Sequence, residues 1–388
     1  MRVLHVIESV RGGVPLFVRR LCEGLRESFT FDIACRPDSE LYRAPPIGAT
    51  LQPVQMCRQI HPVKDLLAAL RIRSLARSNR YDIVHLNSSK AGVIGLILRG
   101  RLSAKTIFTP HALRSHAYRQ GSPLRRAARF LEARICRSVD LVVAVGQEEQ
   151  RQLTECRTAS APEVRLIENG VDLRSLESAP KVSRTDLGLP ADAFVVGTVG
   201  RLSPQKDPAS FARAAILVAT RLPEAQFVMV GDGPGERDVR RLIAEAGLLD
   251  RFHILGWRTD AAEILKLFDV FILTSRYEGL PFALLEAAGA RRAIVCTKAP
   301  GLRSLIDDGR SGLLVDIGDP EAIAEAVIRL RAEPDLRARL GEVAFEAVAQ
   351  PRSLELMLER WSDLYRSLAG QVALAAEIAG PNLSMAER

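Results

Sequence analysis

Phe194-Val-Val-Gly-Thr-Val-Gly-Arg-Leu-Ser-Pro-Gln-Lys-Asp-Pro208 is the stretch on which the fold turns. A short β-like apolar run ends at Gly200, and a loop carrying Arg201 and Lys206 follows within six residues. The chain begins in the same way: Val3–Ile7 reads as a strand, Gly12-Gly13 as a turn, and Pro15–Glu27 as an amphipathic helix. Upstream of residue 194, further strand-like runs lie at Phe31–Ala34, Ile83–Leu86, Thr106–Thr109, Leu141–Val145 and Val164–Ile167. Helical patterns such as Val63–Ser78 and Leu124–Arg137 separate them. Downstream the alternation restarts with Gln226–Val230, Phe252–Leu255, Val270–Thr274, Ala293–Thr297 and Gly312–Val315. Strands alternating with helices build parallel sheets covered on both faces. Two such series predict an α/β protein of two Rossmann-like, doubly wound domains facing across a cleft. Ligands of such sheets bind at the carboxyl ends of the strands.

The polar stretch Leu173–Ala193, with Pro180 and Pro190, reads as the linker. The expected division is residues 1–180, residues 181–350, and a crossover helix with its tail over 351–388. Within the last segment Ser353–Leu368 is amphipathic, carries Trp361 and Tyr365, and should pack back on the first domain; fraying is expected from about Ala369.

At 388 residues, 47% hydrophobic and 26% charged, the chain can bury large cores without covalent staples. Its six cysteines form no C-x-x-C pair and lie at no zinc spacing, so they read as thiols of a reducing compartment. The opening apolar run is too short for a signal peptide, and no run approaches transmembrane length; a cytoplasmic location is expected. The net charge of +8 is uneven: residues 1–180 carry 28 Lys and Arg against 17 Asp and Glu, and the rest 26 against 29.

Several strand-to-loop junctions carry chemistry. Gly12-Gly13, after a strand and before a helix, allows a backbone to approach an anion, although a plain tight turn reads equally well. Arg201 and Lys206 suit a diphosphate, one as a fork and one as a point charge. Gly231-Asp232-Gly233-Pro234 lacks the full G-x-G-x-x-G spacing, which disfavours a NAD site. Glu278-Gly-Leu-Pro-Phe-Ala-Leu-Leu-Glu286 is the most specific segment. Both carboxylates can point to the cleft and accept from sugar or ribose diols, and the backbone N–H groups of Gly279, Leu280 and Phe282, on either side of Pro281, can face a phosphate or sugar.

In order and spacing, these pieces together with Thr109-Pro110-His111 and Asn169-Gly170-Val171-Asp172 resemble the retaining GT-B glycosyltransferases of family 4, over nearly the whole chain. The resemblance implies that Arg201 and Lys206 hold the donor diphosphate, that Glu286 grips the ribose, and that Glu278 contacts the donor sugar, with His111 reaching it from the first domain. It further implies that Gly12 and Gly13 close onto the diphosphate, and that the turns at Gly231 and at Gly256-Trp257 border the base. This chain departs from the pattern at Glu168, where proline is common, and at Pro300-Gly301-Leu-Arg-Ser304, where Gly-Gly-x-x-Glu is common. No D-x-D triplet occurs, so cations and backbone N–H groups are expected in place of a metal clamp, with no cofactor beyond the nucleotide-sugar substrate. No nucleophile is evident, and the family's retention is ascribed to front-face attack.

Residues 99–137 hold ten Lys and Arg and one acid, Glu132. The helix beginning at Leu124 mixes these cations with Leu, Phe and Ile, and reads either as a core helix with a solvated basic face or as a peripheral anchor on an anionic membrane. No aromatic-rich basic groove speaks for nucleic acid. His85-Leu-Asn-Ser-Ser-Lys-Ala-Gly92 and the Thr109 run resemble the bacterial branch that builds exopolysaccharide, capsule or O-antigen, which implies a UDP- or GDP-sugar donor and a polyprenyl-linked acceptor. The rival readings are a sugar-nucleotide 2-epimerase, which needs no acceptor, a phosphate-dependent glycoside phosphorylase, and a non-catalytic nucleotide-sugar-binding protein.

Overall fold

The computed structural model describes residues 1–155, 162–178 and 181–379. Its first sheet joins β1 (Arg2–Ile7), β2 (Thr30–Cys35), β3 (Ala49–Pro53), β4 (Ile83–Asn87), β5 (Lys105–Thr109), β6 (Leu141–Ala144) and β7 (Val164–Leu166) in the order 3-2-1-4-5-6-7. The second joins β8 (Phe194–Val199), β9 (Ala225–Val230), β10 (Phe252–Ile254), β11 (Val270–Leu273), β12 (Ala293–Thr297) and β13 (Leu313–Val315) in the order 10-9-8-11-12-13. Every pairing is parallel. The strand order reverses beside β1 and beside β8, so each sheet has its switch point at its first strand. Strands such as Val3-Leu-His-Val-Ile7 are buried along their length, as parallel strands covered on both faces must be.

On one face of the first sheet, Val3, Ile7, Phe31 and Ile33 pack with Phe17 and Leu21 of the helix Gly13–Gly24, and this core runs unbroken into Leu280, Leu284 and Phe271 of the second half. On the other face Leu4, Val6, Val84 and Leu86 meet Ala68, Ile72, Ile94 and Ile135 from the helices Pro62–Asn79, Ser89–Ile97 and Pro123–Cys136.

The chain returns to the first sheet through its last helix, Leu354–Ala379, which touches the helix Gly13–Gly24, β4 and β5. Trp361 and Tyr365 are fully buried; the Trp361 ring lies 4.8 Å from His85, and the Tyr365 hydroxyl is 2.8 Å from His85 Nδ1. The helix runs past Leu368 to Ala379 instead of fraying at Ala369, and the residues after 379 lie outside the described ones. The return is fastened at Asn169-Gly170-Val171-Asp172. Val171 N–H donates to the Arg352 carbonyl (2.8 Å), Leu354 N–H donates to the Val171 carbonyl (2.9 Å), and a Cβ on Gly170 would sit 2.4 Å from the Ser353 oxygen. Glu168 explains its own departure from the family pattern: it forms a buried pair with Arg352 at 3.0 Å, beside the same junction.

Two elements differ from expectation. β3 was not foreseen, because Ala49–Pro53 is a half-exposed edge strand without an apolar run and is bounded by Pro45, Pro46 and Pro53. The expected linker contains the short helix Leu173–Glu177, whose N-cap Asp172 accepts from Ser175 N–H. Arg184 then ties the segment to Asp269 (2.9 Å) and to the Ala193 carbonyl (2.8 Å). The five described cysteines form no disulfide, and Cys156 lies outside the described residues.

Removing a fully buried ring leaves a cavity as well as lost contacts. Trp361→Ala should therefore cost about 3–5 kcal/mol in chemical denaturation, whereas Phe130→Ala, on the surface, should stay within about 0.5 kcal/mol.

Candidate active site

The carboxyl ends of both sheets face each other, and the loops leaving them form the cleft. After β8, Gly200 N–H donates to the Val230 carbonyl (2.9 Å) and Leu202 N–H to the Asp232 carbonyl (2.8 Å), which laces the Arg201 loop to the loop after β9. Gly231 is required there: its φ is 137°, and a Cβ would lie 2.0 Å from the Gly200 oxygen. Arg201 is exposed to the cleft. Partial burial and the nearby Arg58 lower its pKa, against the pull of Glu8 and Asp232.

Lys206 and Glu278 form the centre of the second domain's contribution. Lys206 Nζ lies 2.6 Å from Glu278 Oε1, the Ser275 hydroxyl donates to the same oxygen at 2.5 Å, and the Glu278 side chain is only 7% exposed. Lysine has three donors and spends one here, which leaves two for an anion. Glu278 N–H donates to the Pro300 carbonyl (2.9 Å), and Gly301 N–H to Glu148 of the first domain (3.1 Å), so the Pro300-Gly301 turn braces this loop from behind.

Glu286 sits two turns further along, one turn into the helix Phe282–Gly289. It is paired with Arg20 of the first domain at 2.9 Å. Arg20 also donates to the Gly170 carbonyl (3.0 Å) and lies 4.5 Å from the centre of the Phe282 ring. Both side chains of the pair are nearly buried, at 13% and 10% exposure.

Gly13, Phe17 and Arg20 share one helix face at spacings of four and three. Gly13 lies opposite Phe282 (3.8 Å from an ideal Cβ), Phe17 lies edge-on to His111 (4.7 Å), and Arg20 meets Glu286. Gly12 has φ 98° and ψ −150°, and the helix it opens has no side-chain cap and no acid in its first turn. The Gly12 N–H goes to the Glu40 carboxylate and Pro15 has none, so the N–H groups open to an anion are those of Gly13 and Val14. Arg11 reaches across to pair with Asp232 and to cover the Trp257 ring at 5.4 Å, beside Gly256. Burial raises the neighbouring Glu40 carboxyl to about 7, against Arg19 and Arg11.

His111 adopts a left-handed φ of 62° at the end of β5. Its carbonyl oxygen packs so closely on Gly279 that a Cβ there would stand 2.3 Å away. Asn87 fixes the ring. The Asn87 amide nitrogen donates to the His85 carbonyl (3.0 Å) and faces His5 Nδ1 (3.2 Å), so its oxygen must face His111 Nε2 (3.1 Å). A carbonyl oxygen only accepts; His111 therefore carries its proton on Nε2 and leaves Nδ1 as an acceptor. Burial holds His111 and His5 at about 3 and His85 well below its ordinary value, so all three are neutral at physiological pH.

The cleft thus gathers Gly12, Gly13, His111, Arg201, Lys206, Gly231, Gly256, Gly279, Leu280, Pro281, Glu278 and Glu286. It adds Arg11, Arg20 and Asn87, which the sequence reading passed over. Arg20 had a signal, a cation inside an otherwise apolar helical stripe. Asn87 lies inside the segment His85–Gly92 that carries the resemblance, but nothing in the sequence gives it a role of its own. Among the described residues no group of three or more His, Cys, Asp and Glu converges as metal ligands would.

Two doubly wound sheets with a cation–carboxylate cluster between their strand ends are the GT-B architecture of glycosyltransferases. Residues 12–170 match the family described as glycosyl transferase 4-like domain, and residues 181–347 match glycosyl transferases group 1. The chain belongs to this family, family 4 of the glycosyltransferases. It is 30% identical over 319 residues to the UDP-Gal:α-D-GlcNAc-diphosphoundecaprenol α-1,3-galactosyltransferase of Escherichia coli, covering 78% of this chain and 80% of that one. It is 32% identical to the lipopolysaccharide core biosynthesis glycosyltransferase LpsD of Rhizobium meliloti, covering 62% and 72%. The fold matches Anabaena HepE, solved with UDP and glucose, at a TM-score of 0.79 and 22% identity over 95% of this chain and all of that one. Sucrose-phosphate synthase from Thermosynechococcus elongatus matches at 0.80 and 22% over 95% and 99%.

Two outcomes follow. Below about pH 6.5 an unfolded imidazole takes up a proton that the buried His111 refuses, so the fold loses stability as pH falls. Compared with His111→Gln, wild type should lose about 1.4 kcal/mol more per pH unit between about pH 6 and pH 4; equal slopes would mean that His111 protonates in place. Arg20→Ala strands a nearly buried carboxylate and should cost about 3 kcal/mol in denaturation.

Proposed function

We propose that the protein transfers a hexose from a UDP-sugar to a polyprenyl-diphosphate-linked saccharide, with retention of configuration and without a metal, in the assembly of a bacterial surface polysaccharide. The observation that carries this reading is the Lys206–Glu278 pair, which sets a cation with spare donors beside a desolvated carboxylate at the strand ends. Lys206 and Arg201 hold the diphosphate and stabilise the charge that grows on it as the glycosidic bond breaks. Glu278 accepts from sugar hydroxyls. His111 offers a neutral Nδ1 to another. Glu286, steadied by Arg20 at one oxygen, turns the other to the ribose diol. At the Gly12-Gly13 turn the N–H groups of Gly13 and Val14 close the diphosphate from the opposite side, and Gly231 and Gly256 border the base. The acceptor hydroxyl attacks from the leaving-group face, and the departing phosphate takes its proton. The UDP donor and the lipid-linked acceptor rest on likeness to the Escherichia coli galactosyltransferase, and the polysaccharide pathway on that enzyme and LpsD together. No described helix is long and apolar enough to cross a membrane; in this reading the lipid-linked acceptor is met at the bilayer surface.

Lys206→Ala and Glu286→Ala should each lower kcat/KM by about 10²-fold or more, the loss expected when a desolvated charge contact to a transition state is removed. Circular dichroism should show both variants folded. Turnover near wild type in either would remove that residue from the site.

A further inference from the structure

The helix Pro62–Asn79 is apolar on two opposite faces. One face packs on the first sheet through Ala68, Ala69, Ile72 and Leu75. The other presents Val63, Leu66, Leu67 and Leu70, at spacings i, i+3, i+4 and i+7, with Ile60 just ahead of them. These five side chains are 49–62% exposed. A helix apolar all round is ordinarily buried, and this one is covered on one side only. The helix Ser89–Ile97 packs against it and against Pro123–Cys136, which exposes Leu124 and Phe130. Of the eleven exposed large apolar side chains among the described residues, seven therefore lie on this single layer.

The charge of the layer is one-sided. Its three helices contain two acids, and both turn inward: Asp65 is buried against Lys90 at 2.6 Å, and Glu132 accepts from the Ser115 backbone N–H at 2.9 Å. Lys64, Arg71 and Arg77 remain exposed on the striped helix, and Arg126 is exposed on Pro123–Cys136. Both outer helices follow the carboxyl ends of strands, β3 and β5, so their first turns lie at the same sheet edge as Gly12 and His111.

We propose that this layer docks on an anionic bilayer, with the stripe Ile60–Leu70 sinking into the acyl boundary while Lys64, Arg71 and Arg126 meet lipid phosphates. A narrow apolar stripe inside a cationic field free of exposed acids fits a leaflet of anionic lipid; the centre of a protein interface is depleted of charge. The helix beginning at Leu124, which the sequence offers as either a core helix or an anchor, forms the flank of this layer, and the larger exposed apolar face belongs to Pro62–Asn79. The purpose of such docking rests on the lipid-linked acceptor, whereas its chemistry does not.

Sedimentation with vesicles of phosphatidylethanolamine alone, or mixed with phosphatidylglycerol, tests this. Wild type should pellet with the mixed vesicles. Leu66→Ser/Leu67→Ser/Leu70→Ser should lose at least tenfold in vesicle affinity while keeping the wild-type melting curve and the thermal shift given by UDP. Arg71→Gln/Arg126→Gln should lose most of the preference for the anionic lipid. Equal pelleting of the triple serine variant and wild type would overturn the proposal. So would light scattering that finds a wild-type dimer which the triple variant splits, since a second copy would then cover the stripe. Transfer to a short-chain, water-soluble acceptor separates the two readings. Activity there with no vesicle binding sinks the docking alone, and vesicle binding without activity on any acceptor sinks the transfer reading alone.

Discussion

The contact between Arg20 and Glu286 joins the two halves of the molecule at the place where the chemistry is expected. Each residue sits on the helix that follows a switch-point loop, one behind Gly12-Gly13 and the other behind Glu278. Nearly buried, the pair would be costly for either helix to hold alone. It is affordable because the guanidinium also donates to the Gly170 carbonyl through its other terminal nitrogen and lays its flat face over Phe282. Glu148 bonded to Gly301 and Asn169 bonded to the Leu280 carbonyl (2.7 Å) reinforce the same seam. The relative placement of the two sheets therefore depends on polar groups that also frame the cleft.

The cleft has two chemically different walls. Its second-domain wall pairs cation with carboxylate at Lys206 and Glu278, close enough to neutralise each other yet with donors and lone pairs left over. Behind its first-domain wall, which brings Arg11 and Arg20 to the cleft, the buried imidazoles of His5, His85 and His111 are all neutral, and Asn87 decides which nitrogen of His111 is free. A neutral acceptor beside a desolvated pair suits the recognition of hydroxyl groups, and fixed cations suit a diphosphate leaving group. The outward face of the first domain carries the opposite character, cationic around an apolar stripe.

Much of this was legible in the sequence because it depends on local rules. Parallel strands buried on both faces appear as apolar runs, glycines mark strand-to-loop turns, and the eight-residue spacing of Glu278 and Glu286 survives into one loop and one helix. The edge strand Ala49–Pro53 was not legible because an exposed edge has no apolar signature. The extension of the last helix to Ala379 was missed because its polar flank read as an end. Partners across the chain were invisible: nothing near Glu286 announces Arg20, 266 positions away, and nothing near Glu168 announces Arg352. The helix Val63–Ser78 was read correctly as a helix, but periodicity cannot say which of two apolar faces the fold covers.

The most direct test of the central claim is the reaction itself, with the anomeric configuration of its product. Purified protein is incubated with a UDP-α-hexose and a short-chain polyprenyl-diphosphate-linked N-acetylglucosamine, and the product is examined by proton NMR. A new disaccharide with an α linkage is the predicted result. A β-linked product would contradict the retaining mechanism, and absence of transfer from every UDP-hexose would contradict the assignment of the cleft as a donor site.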